Sequence, residues 1–289
     1  MQVGFLGLGT MGAAMADRLL GSAQLVPWNR SPAPLERLAN KGVPVAATAA
    51  EALSTEISFS MLANDEVTDE ILAESNIKPD TVHVCMASIS PQLAKGLSLR
   101  FEAIGAKFVS APVVGRPNVA AEGQLNILAA GDRLALDLAR PFLELMGKKT
   151  WVLGEEPAKA NLVKIAVNYN ILHTIQSLAE SVAIVERQGI SASEFIEVLR
   201  GTLFGGVAHS GYGDQIANSR YEPTLFSLEL GRKDLRLAMQ AASDAGLSLP
   251  TAQILDELLG EALGDPELSS KDWAALAEVT RSAERPNRG

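Results

Sequence analysis

The sequence predicts an α/β domain followed by an all-α domain, with a long helix joining the two. Two observations carry this prediction. Short apolar runs alternate with amphipathic helical patterns through the first half of the 289 residues, as they do in a parallel sheet with crossover helices. After 151–154 the strand patterns stop and long helical patterns follow. We therefore place the domains at residues 1–157 and 158–289.

The elements of the first domain follow in order from the spacing of its apolar residues. The predicted strands are 3–6, 24–28, 57–62, 81–86, 107–109 and 125–129. The predicted helices between them are 11–20, 34–39, 66–72 and 91–104.

The second domain begins with a helix from about Pro157 to Arg187, since proline suits the first turn of a helix. Such a helix is about 45 Å long, and apolar residues occupy nearly all of its faces. It needs cover from several helices, including those of a second subunit, so we expect a homodimer or homotetramer. Further helices are predicted at 192–199, 228–245 and 249–263, and a glycine-rich loop is predicted at 205–213.

Composition narrows the possible partners. The net charge of −9 argues against nucleic acid or an anionic membrane as a partner, because both are bound by clustered Lys and Arg. One cysteine, Cys85, excludes an internal disulfide, and with only three histidines it gives little support for a bound metal. The first residues enter a strand at once, which leaves no room for a targeting segment. We expect a cytoplasmic protein that binds a small molecule.

A glycine-rich turn lies between the first predicted strand and helix. Gly7 permits the tight turn, Gly9 lets a pyrophosphate approach the backbone, and Gly12 lets helix and strand pack closely. The helix N-terminus then faces the anion. This context indicates a Rossmann domain that binds a dinucleotide through Gly7, Leu8, Gly9, Thr10, Met11 and Gly12.

The end of the second strand favours NADP (NADPH) over NAD. An NAD enzyme places a carboxylate here to bind the ribose 2′-hydroxyl, whereas this chain has Asn29, Arg30 and Ser31. Arg30 can pair with a 2′-phosphate, and Asn29 and Ser31 can donate hydrogen bonds to it. A solvated surface arginine is the alternative. We also assign Leu62 and Ala63, at the end of the third predicted strand, to cofactor binding.

Four further segments, read with the glycine turn, resemble the β-hydroxyacid dehydrogenase family of the 6-phosphogluconate dehydrogenase superfamily. That family includes 3-hydroxyisobutyrate dehydrogenase and semialdehyde reductases. The resemblance spans nearly the whole chain in the expected order. The segments are Met86-Ala87-Ser88-Ile89-Ser90-Pro91, Ala111-Pro112-Val113-Val114-Gly115, Asn161 to Asn168, and Lys233-Asp234-Leu235.

The resemblance implies that Lys164 is the catalytic acid/base of a small aldehyde, oxo acid or β-hydroxy acid oxidoreductase. Independently, a developing alkoxide needs a nearby proton donor, and desolvation can lower the pKa of a lysine into a useful range. Asn168 lies one helical turn later and can orient the lysine or the substrate. The resemblance also places Ser88 beside the nicotinamide and Lys233 near the cofactor or substrate. A structural lysine and an ordinary strand-end serine are the alternatives.

One segment departs from the family pattern, which has a serine and two glycines after Ala-Pro-Val. Here Val114 stands at the serine position and Arg116 at the second glycine position, with Gly115 retained. Arg116 either points inward and binds a substrate carboxylate, or lies at the surface before Pro117. Backbone amides around Gly115 can still contact substrate.

Two competing functions remain open. Imine reductases and reductive aminases share this architecture and use NADPH, but they usually replace the lysine with Asp or Tyr, so Lys164 argues against them. The altered 114–116 segment keeps them as an alternative, because it resembles the substrate loop of enzymes that do not need to recognise a carboxylate. A non-catalytic dinucleotide-binding module is the other, known in nuclear relatives that have lost the lysine. The physiological substrate is not encoded by any short motif.

Overall fold

The computed structural model describes residues 1–73 and 77–282, and these separate into two compact units. The first unit comprises Met1–Lys164, and the second begins at Ile165. The predicted order of an α/β part followed by a helical part is confirmed. None of the helices in the described ranges is long and apolar enough to cross a membrane.

The first unit is built on an eight-stranded sheet in the order β2-β1-β3-β4-β5-β7-β6, with β8 beside β7. The strands are β1 (Gln2–Leu6), β2 (Gln24–Trp28), β3 (Ile57–Ser60), β4 (Val82–Cys85), β5 (Lys107–Ser110), β6 (Val113–Val114), β7 (Leu125–Gly131) and β8 (Gly147–Val152). Its helices are α1 (Thr10–Leu19), α2 (Ala33–Ala39), α3 (Ala49–Leu53), α4 (Asp65–Ala73), α5 (Pro91–Ala103), α6 (Pro117–Ala121) and α7 (Arg133–Met146).

Strands β1 to β5 are parallel and are covered on both faces. Alternate side chains enter two different cores: Phe5 and Phe59 pack on one face of the sheet, and Leu6 and Phe108 on the other. Buried strands of this kind are what near-continuous apolar runs predict. The all-parallel expectation is wrong beyond β5, because β7 runs antiparallel to both β5 and β6. Helices α3, α6 and α7 were not predicted.

A histidine is enclosed within this sheet. The two ring nitrogens of His83 on β4 lie 2.8 Å from the hydroxyl of Ser58 and 2.9 Å from that of Ser60, both on β3. The rings of Phe101 and Phe108 lie beside it. Burial lowers the pKa of His83 to about 3, since a charged imidazole would lose its hydration there. The neutral ring therefore joins two neighbouring strands through their side chains.

The second unit is helical. Helix α8 (Ala158–Glu186) begins in the first unit and continues into the second, where α9 (Ala192–Gly201), α10 (Val207–Ala217), α11 (Leu228–Asp244), α12 (Ala252–Gly264), a 3₁₀ turn (Trp273–Ala275) and α13 (Leu276–Ser282) follow. The predicted loop at 205–213 is wrong, because α10 occupies most of it. A Cβ at Gly213 would lie 2.9 Å from Cδ1 of Ile196, so this glycine serves close packing against α9 rather than a turn.

Arg281 of α13 closes the second unit. Its guanidinium makes a two-bond pair with Glu186 at the end of α8, at 3.0 and 2.7 Å, and donates to the backbone carbonyl of Ile216 at 3.0 Å. It also pairs with Glu278, which accepts a hydrogen bond from Tyr221. Burial and the neighbouring carboxylate raise the pKa of the Tyr221 phenol. One side chain thus ties the ends of three helices together.

Candidate cofactor and active site

The predicted cofactor residues of the first unit lie along one edge of its sheet, whereas Lys233 lies on α11 of the second unit. The glycine turn follows β1, residues 29–31 follow β2, Leu62 and Ala63 follow β3, and Ser88 follows β4. These four strands are parallel neighbours in the order β2-β1-β3-β4, so their carboxyl ends share an edge. The chain order reverses between β1 and β3, where open α/β sheets bind their ligands. Strand β3 ends at Ser60, so Leu62 and Ala63 lie in the turn before α4 rather than in the strand.

The three glycines of the turn have different tasks. A Cβ on Gly7 would lie 2.4 Å from the carbonyl oxygen of Met61, and one on Gly12 would lie 1.9 Å from the carbonyl oxygen of Gly7. Both glycines are therefore required by packing, and Gly7 also has a positive φ of 88°. A Cβ on Gly9 would meet no described atom within 4 Å, so packing gives no reason for that glycine.

The space beside Gly9 fits a phosphate. Gly9 precedes α1, and no described side chain caps this helix or adds an acid to its first turn. The N–H groups of Thr10, Met11 and Gly12 and the positive end of the helix dipole are directed toward that space. The N–H of Leu8 is used differently, because it donates to Oδ1 of Asn29 at 2.8 Å.

The loop after β2 carries the residues predicted to select the cofactor. Arg30 and Ser31 are exposed, and Asn29 is half-buried. Nδ2 of Asn29 donates to the carbonyl oxygen of Ser31 at 2.9 Å. The amide of Asn29 therefore makes hydrogen bonds within the chain at both its oxygen and its nitrogen, which sequence reasoning missed.

Lys164 is the last residue of the first unit and is 8% exposed. Asn161, one helical turn earlier on α8, donates from Nδ2 to the carbonyl oxygen of Ile89 at 2.8 Å. Ile89 directly follows Ser88, at the carboxyl end of β4. This bond brings the buried face of α8 that carries Lys164 against the strand-end segment that carries Ser88. Two of the predicted site residues are thus linked within one unit.

Asn168 lies four residues after Lys164 on α8 and is 3% exposed. Its Nδ2 donates to a carboxylate oxygen of Asp234 on α11, which is 4% exposed. Lys233, the predicted neighbour, precedes Asp234 and is half-buried. No role was predicted for Asp234. The sequence feature that could have identified Asp234 is an acidic residue on a helix face that otherwise carries apolar side chains.

The altered segment lies between β6 and α6. Val114 ends β6, Gly115 has a φ of 152°, and Arg116 is the residue that precedes the first turn of α6. A Cβ on Gly115 would lie 2.6 Å from Cδ2 of Leu125, so this glycine is needed for packing. Val114 and Arg116 are half-buried. Among residues 1–73 and 77–282, no group of three or more His, Cys, Asp or Glu side chains is arranged to hold a metal ion.

Comparison with known proteins agrees with this architecture. Residues 2–154 match the family described as the NAD binding domain of 6-phosphogluconate dehydrogenase, and residues 158–280 match the family described as NAD-binding of NADP-dependent 3-hydroxyisobutyrate dehydrogenase. The chain is 30% identical to an uncharacterized oxidoreductase, YfjR, of Bacillus subtilis, covering 97% of this chain and 100% of that protein.

Two further relatives have named activities or solved structures. Glyoxylate/succinic semialdehyde reductase 2 of Arabidopsis thaliana is 30% identical, over 98% of this chain and 80% of the relative. A Mycobacterium tuberculosis 3-hydroxyisobutyrate dehydrogenase structure is 27% identical, with a TM-score of 0.88 over 97% of this chain and 99% of that one. The chain belongs to the β-hydroxyacid dehydrogenase family of NAD(P)-binding oxidoreductases.

Proposed function

We propose that this protein is an NADP-dependent reductase of a small aldehyde or oxo acid, with Lys164 as its general acid; in reverse it oxidises a β-hydroxy acid. The observation that carries the proposal is the hydrogen bond from Asn161 to Ile89, which sets the Lys164 face of α8 against the carboxyl edge of the sheet. A buried lysine on that face supports a proton donor beside the predicted nicotinamide position.

NADP is the cofactor that the loop after β2 supports. No carboxylate follows β2 at residues 29–31, so nothing there repels a 2′-phosphate. The exposed guanidinium of Arg30 offers a planar, permanently charged partner for that group. The N–H groups at the start of α1 hold the pyrophosphate.

The chemistry divides between the cofactor and the chain. Bound NADPH supplies a hydride to the carbonyl carbon. Lys164 donates a proton from Nζ to the carbonyl oxygen, so that no free alkoxide accumulates, and in oxidation it takes the hydroxyl proton back. Asn168 orients the lysine or the substrate. Asp234 accepts a hydrogen bond from Nδ2 of Asn168 and so fixes the orientation of the amide.

We infer a substrate with a carboxylate. Arg116 is half-buried beside Gly115, and a guanidinium binds a carboxylate with two parallel hydrogen bonds. Val114 lacks the hydroxyl expected at its position, so Arg116 and the backbone around Gly115 carry recognition. Glyoxylate and succinic semialdehyde are the first compounds to test. We further propose that the protein is a cytoplasmic homodimer or homotetramer.

The decisive experiment compares Lys164→Ala and Lys164→Arg with wild type. Both variants are expected to lose about 10²–10⁴-fold in kcat, because alanine has no proton to give and the arginine guanidinium does not release one near neutral pH. The Kd for NADPH is expected to stay within about threefold, well under the tenfold that 1.4 kcal/mol represents. Lys159→Ala is the matched control, since Lys159 is an exposed lysine on the same helix.

A substrate panel tests the competing functions alongside. Oxidation of NADPH is followed with glyoxylate, succinic semialdehyde, other oxo acids and cyclic imines. Preference for imines supports an imine reductase, and binding without turnover of any compound supports a non-catalytic module. A Lys164→Ala variant that turns over its best substrate within a few-fold of wild type would make Lys164 a structural residue.

A further inference from the structure

The amide of Asn29 joins two loops that follow neighbouring strands. Its Oδ1 accepts from the N–H of Leu8, inside the glycine turn after β1, at 2.8 Å. Its Nδ2 donates to the carbonyl oxygen of Ser31, in the loop after β2, at 2.9 Å. Strands β1 and β2 pair directly, with Leu6 opposite Trp28, so both loops leave the same end of the sheet. A single half-buried side chain therefore links them.

We propose that Asn29 is a positioning residue that couples the pyrophosphate subsite to the 2′-phosphate subsite. The coupling rests on the proposed use of NADP. Through Leu8 the amide fixes the turn from which the first N–H groups of α1 meet the pyrophosphate. Through Ser31 it fixes the loop in which Arg30 meets the 2′-phosphate. Each phosphate of the same ligand is then bound by backbone that one amide holds in place.

The chemistry of the side chain makes asparagine necessary for both bonds. An amide presents an acceptor and a donor at its two ends. Aspartate has nearly the same shape but presents two acceptors, so it keeps the bond from Leu8 and places a negative oxygen against the carbonyl of Ser31. Leucine has a similar shape and makes neither bond. The two substitutions therefore separate the two halves of the link.

The proposal differs from direct recognition of the 2′-phosphate by Asn29. A direct ligand contributes to NADPH binding alone, because NADH has no 2′-phosphate. A residue that fixes the glycine turn contributes to both cofactors, because both carry the pyrophosphate. Arg30 is the matched comparison, since its side chain is exposed at the next position and makes no use of the Leu8 amide.

The test measures cofactor affinity and amide exchange in three variants. Asn29→Leu is expected to raise the Kd for NADH about 3–10-fold, the usual range for one lost hydrogen bond, and the Kd for NADPH by more. In the protein without cofactor, hydrogen exchange of the Leu8 amide, followed by NMR, is expected to accelerate about 3–10-fold in the same variant. The Gly7 amide, which donates to the carbonyl of Trp28 at 3.0 Å, is the internal check that the strand ends are intact.

Asn29→Asp is expected to restore slow exchange of the Leu8 amide and to bring the Kd for NADH back toward wild type, while NADPH binding remains weak. Arg30→Ala is expected to weaken NADPH alone and to leave the Leu8 amide unchanged. The proposal is overturned if Asn29→Leu weakens only NADPH with unchanged Leu8 exchange, or if it changes neither cofactor. A wild-type preference for NADH would contradict NADP specificity instead, and the Leu8 exchange and NADH data would still decide whether Asn29 holds the turn.

Discussion

Replacing Gly9 and Gly12 separately by alanine should divide cofactor binding from folding, because the two glycines meet opposite surroundings. At Gly12 the new Cβ would lie 1.9 Å from the carbonyl oxygen of Gly7, and the backbone on both sides must shift. Overpacking of this kind costs about 1–3 kcal/mol, and the depth of the overlap places it near the upper end. Alanine has a higher helix propensity than glycine, which offsets up to about 1 kcal/mol of this loss. A net loss of about 2 kcal/mol follows, which lowers Tm by roughly 4–8 °C.

At Gly9 the energetic terms nearly cancel. The backbone there has φ −65° and ψ −174°, which alanine adopts without strain. Alanine is less favourable than glycine at the position before a helix, which lowers the free energy of unfolding by up to about 1 kcal/mol. Alanine also reduces the conformational entropy of the unfolded chain, which raises the free energy of unfolding by about 0.4–1 kcal/mol. Stability should therefore stay nearly constant. The methyl group, however, occupies the space into which the pyrophosphate must come, and the Kd for NADPH should rise tenfold or more.

Thermal melts of the cofactor-free protein and calorimetric titration with NADPH measure the two effects. Gly96→Ala is the control, because a Cβ at that helical glycine also meets no described atom within 4 Å and lies outside the predicted site. It should leave the Kd unchanged. Normal NADPH affinity in Gly9→Ala would show that the pyrophosphate does not lie against this turn, and an unchanged Tm in Gly12→Ala would show that the close approach to Gly7 is not required.

Three other predictions rest on Arg30, on His83 and on the exposed apolar residues of α8. Arg30→Ala should raise the Kd for NADPH about 10–100-fold, since a hydrogen bond to a charged group is worth roughly 1.5–3 kcal/mol, with little change for NADH; equal changes would show that Arg30 does not read the phosphate. Burial lowers the pKa of His83 to about 3 in the folded protein. As the pH falls from about 6.5 toward 3, the unfolded chain therefore binds a proton at His83 and the folded chain does not, so the free energy of unfolding drops by up to ~1.4 kcal/mol per pH unit. Urea midpoints between pH 7 and 5 should fall more steeply for wild type than for His83→Gln, and parallel curves would contradict the shift. Light scattering should report a homodimer or larger at micromolar concentration, because α8 leaves Leu162, Val163 and Ile184 between 37% and 68% exposed; a monomer would mean that helices of the same chain suffice.

The strands that could be predicted were those whose buried pattern is local. Each of β1 to β5 is buried along most of its length, so an apolar run marks it without reference to the rest of the chain. The direction of β7 has no such local mark, because pairing across β5 and β6 decides it. Helix α7 contains Pro141, which masked its strongly amphipathic pattern.

The site shows the same division. The spacing of the glycines predicted the turn after β1, because a position where a Cβ would clash requires glycine, and glycine is visible in the sequence. The interaction of Asn29 with Leu8 and that of Asn168 with Asp234 join residues far apart in the chain, and nothing local to either partner indicates them. Helix α10 was predicted as a loop because glycine is a poor helix former, and packing of Gly213 against Ile196 outweighed that propensity.

The ion pair between Arg281 and Glu186 can form only near the end of translation. Glu186 leaves the ribosome 95 residues before its partner arrives. At about 5–20 residues per second, that interval is about 5–20 s. During that interval Leu276 and Ala277 of α13 are missing from the apolar core that also contains Leu178 and Val182 of α8. We therefore expect the nascent helical unit to bind chaperones. A chain that ends just before Arg281 should be cut readily by protease within the second unit, and the 289-residue chain should resist.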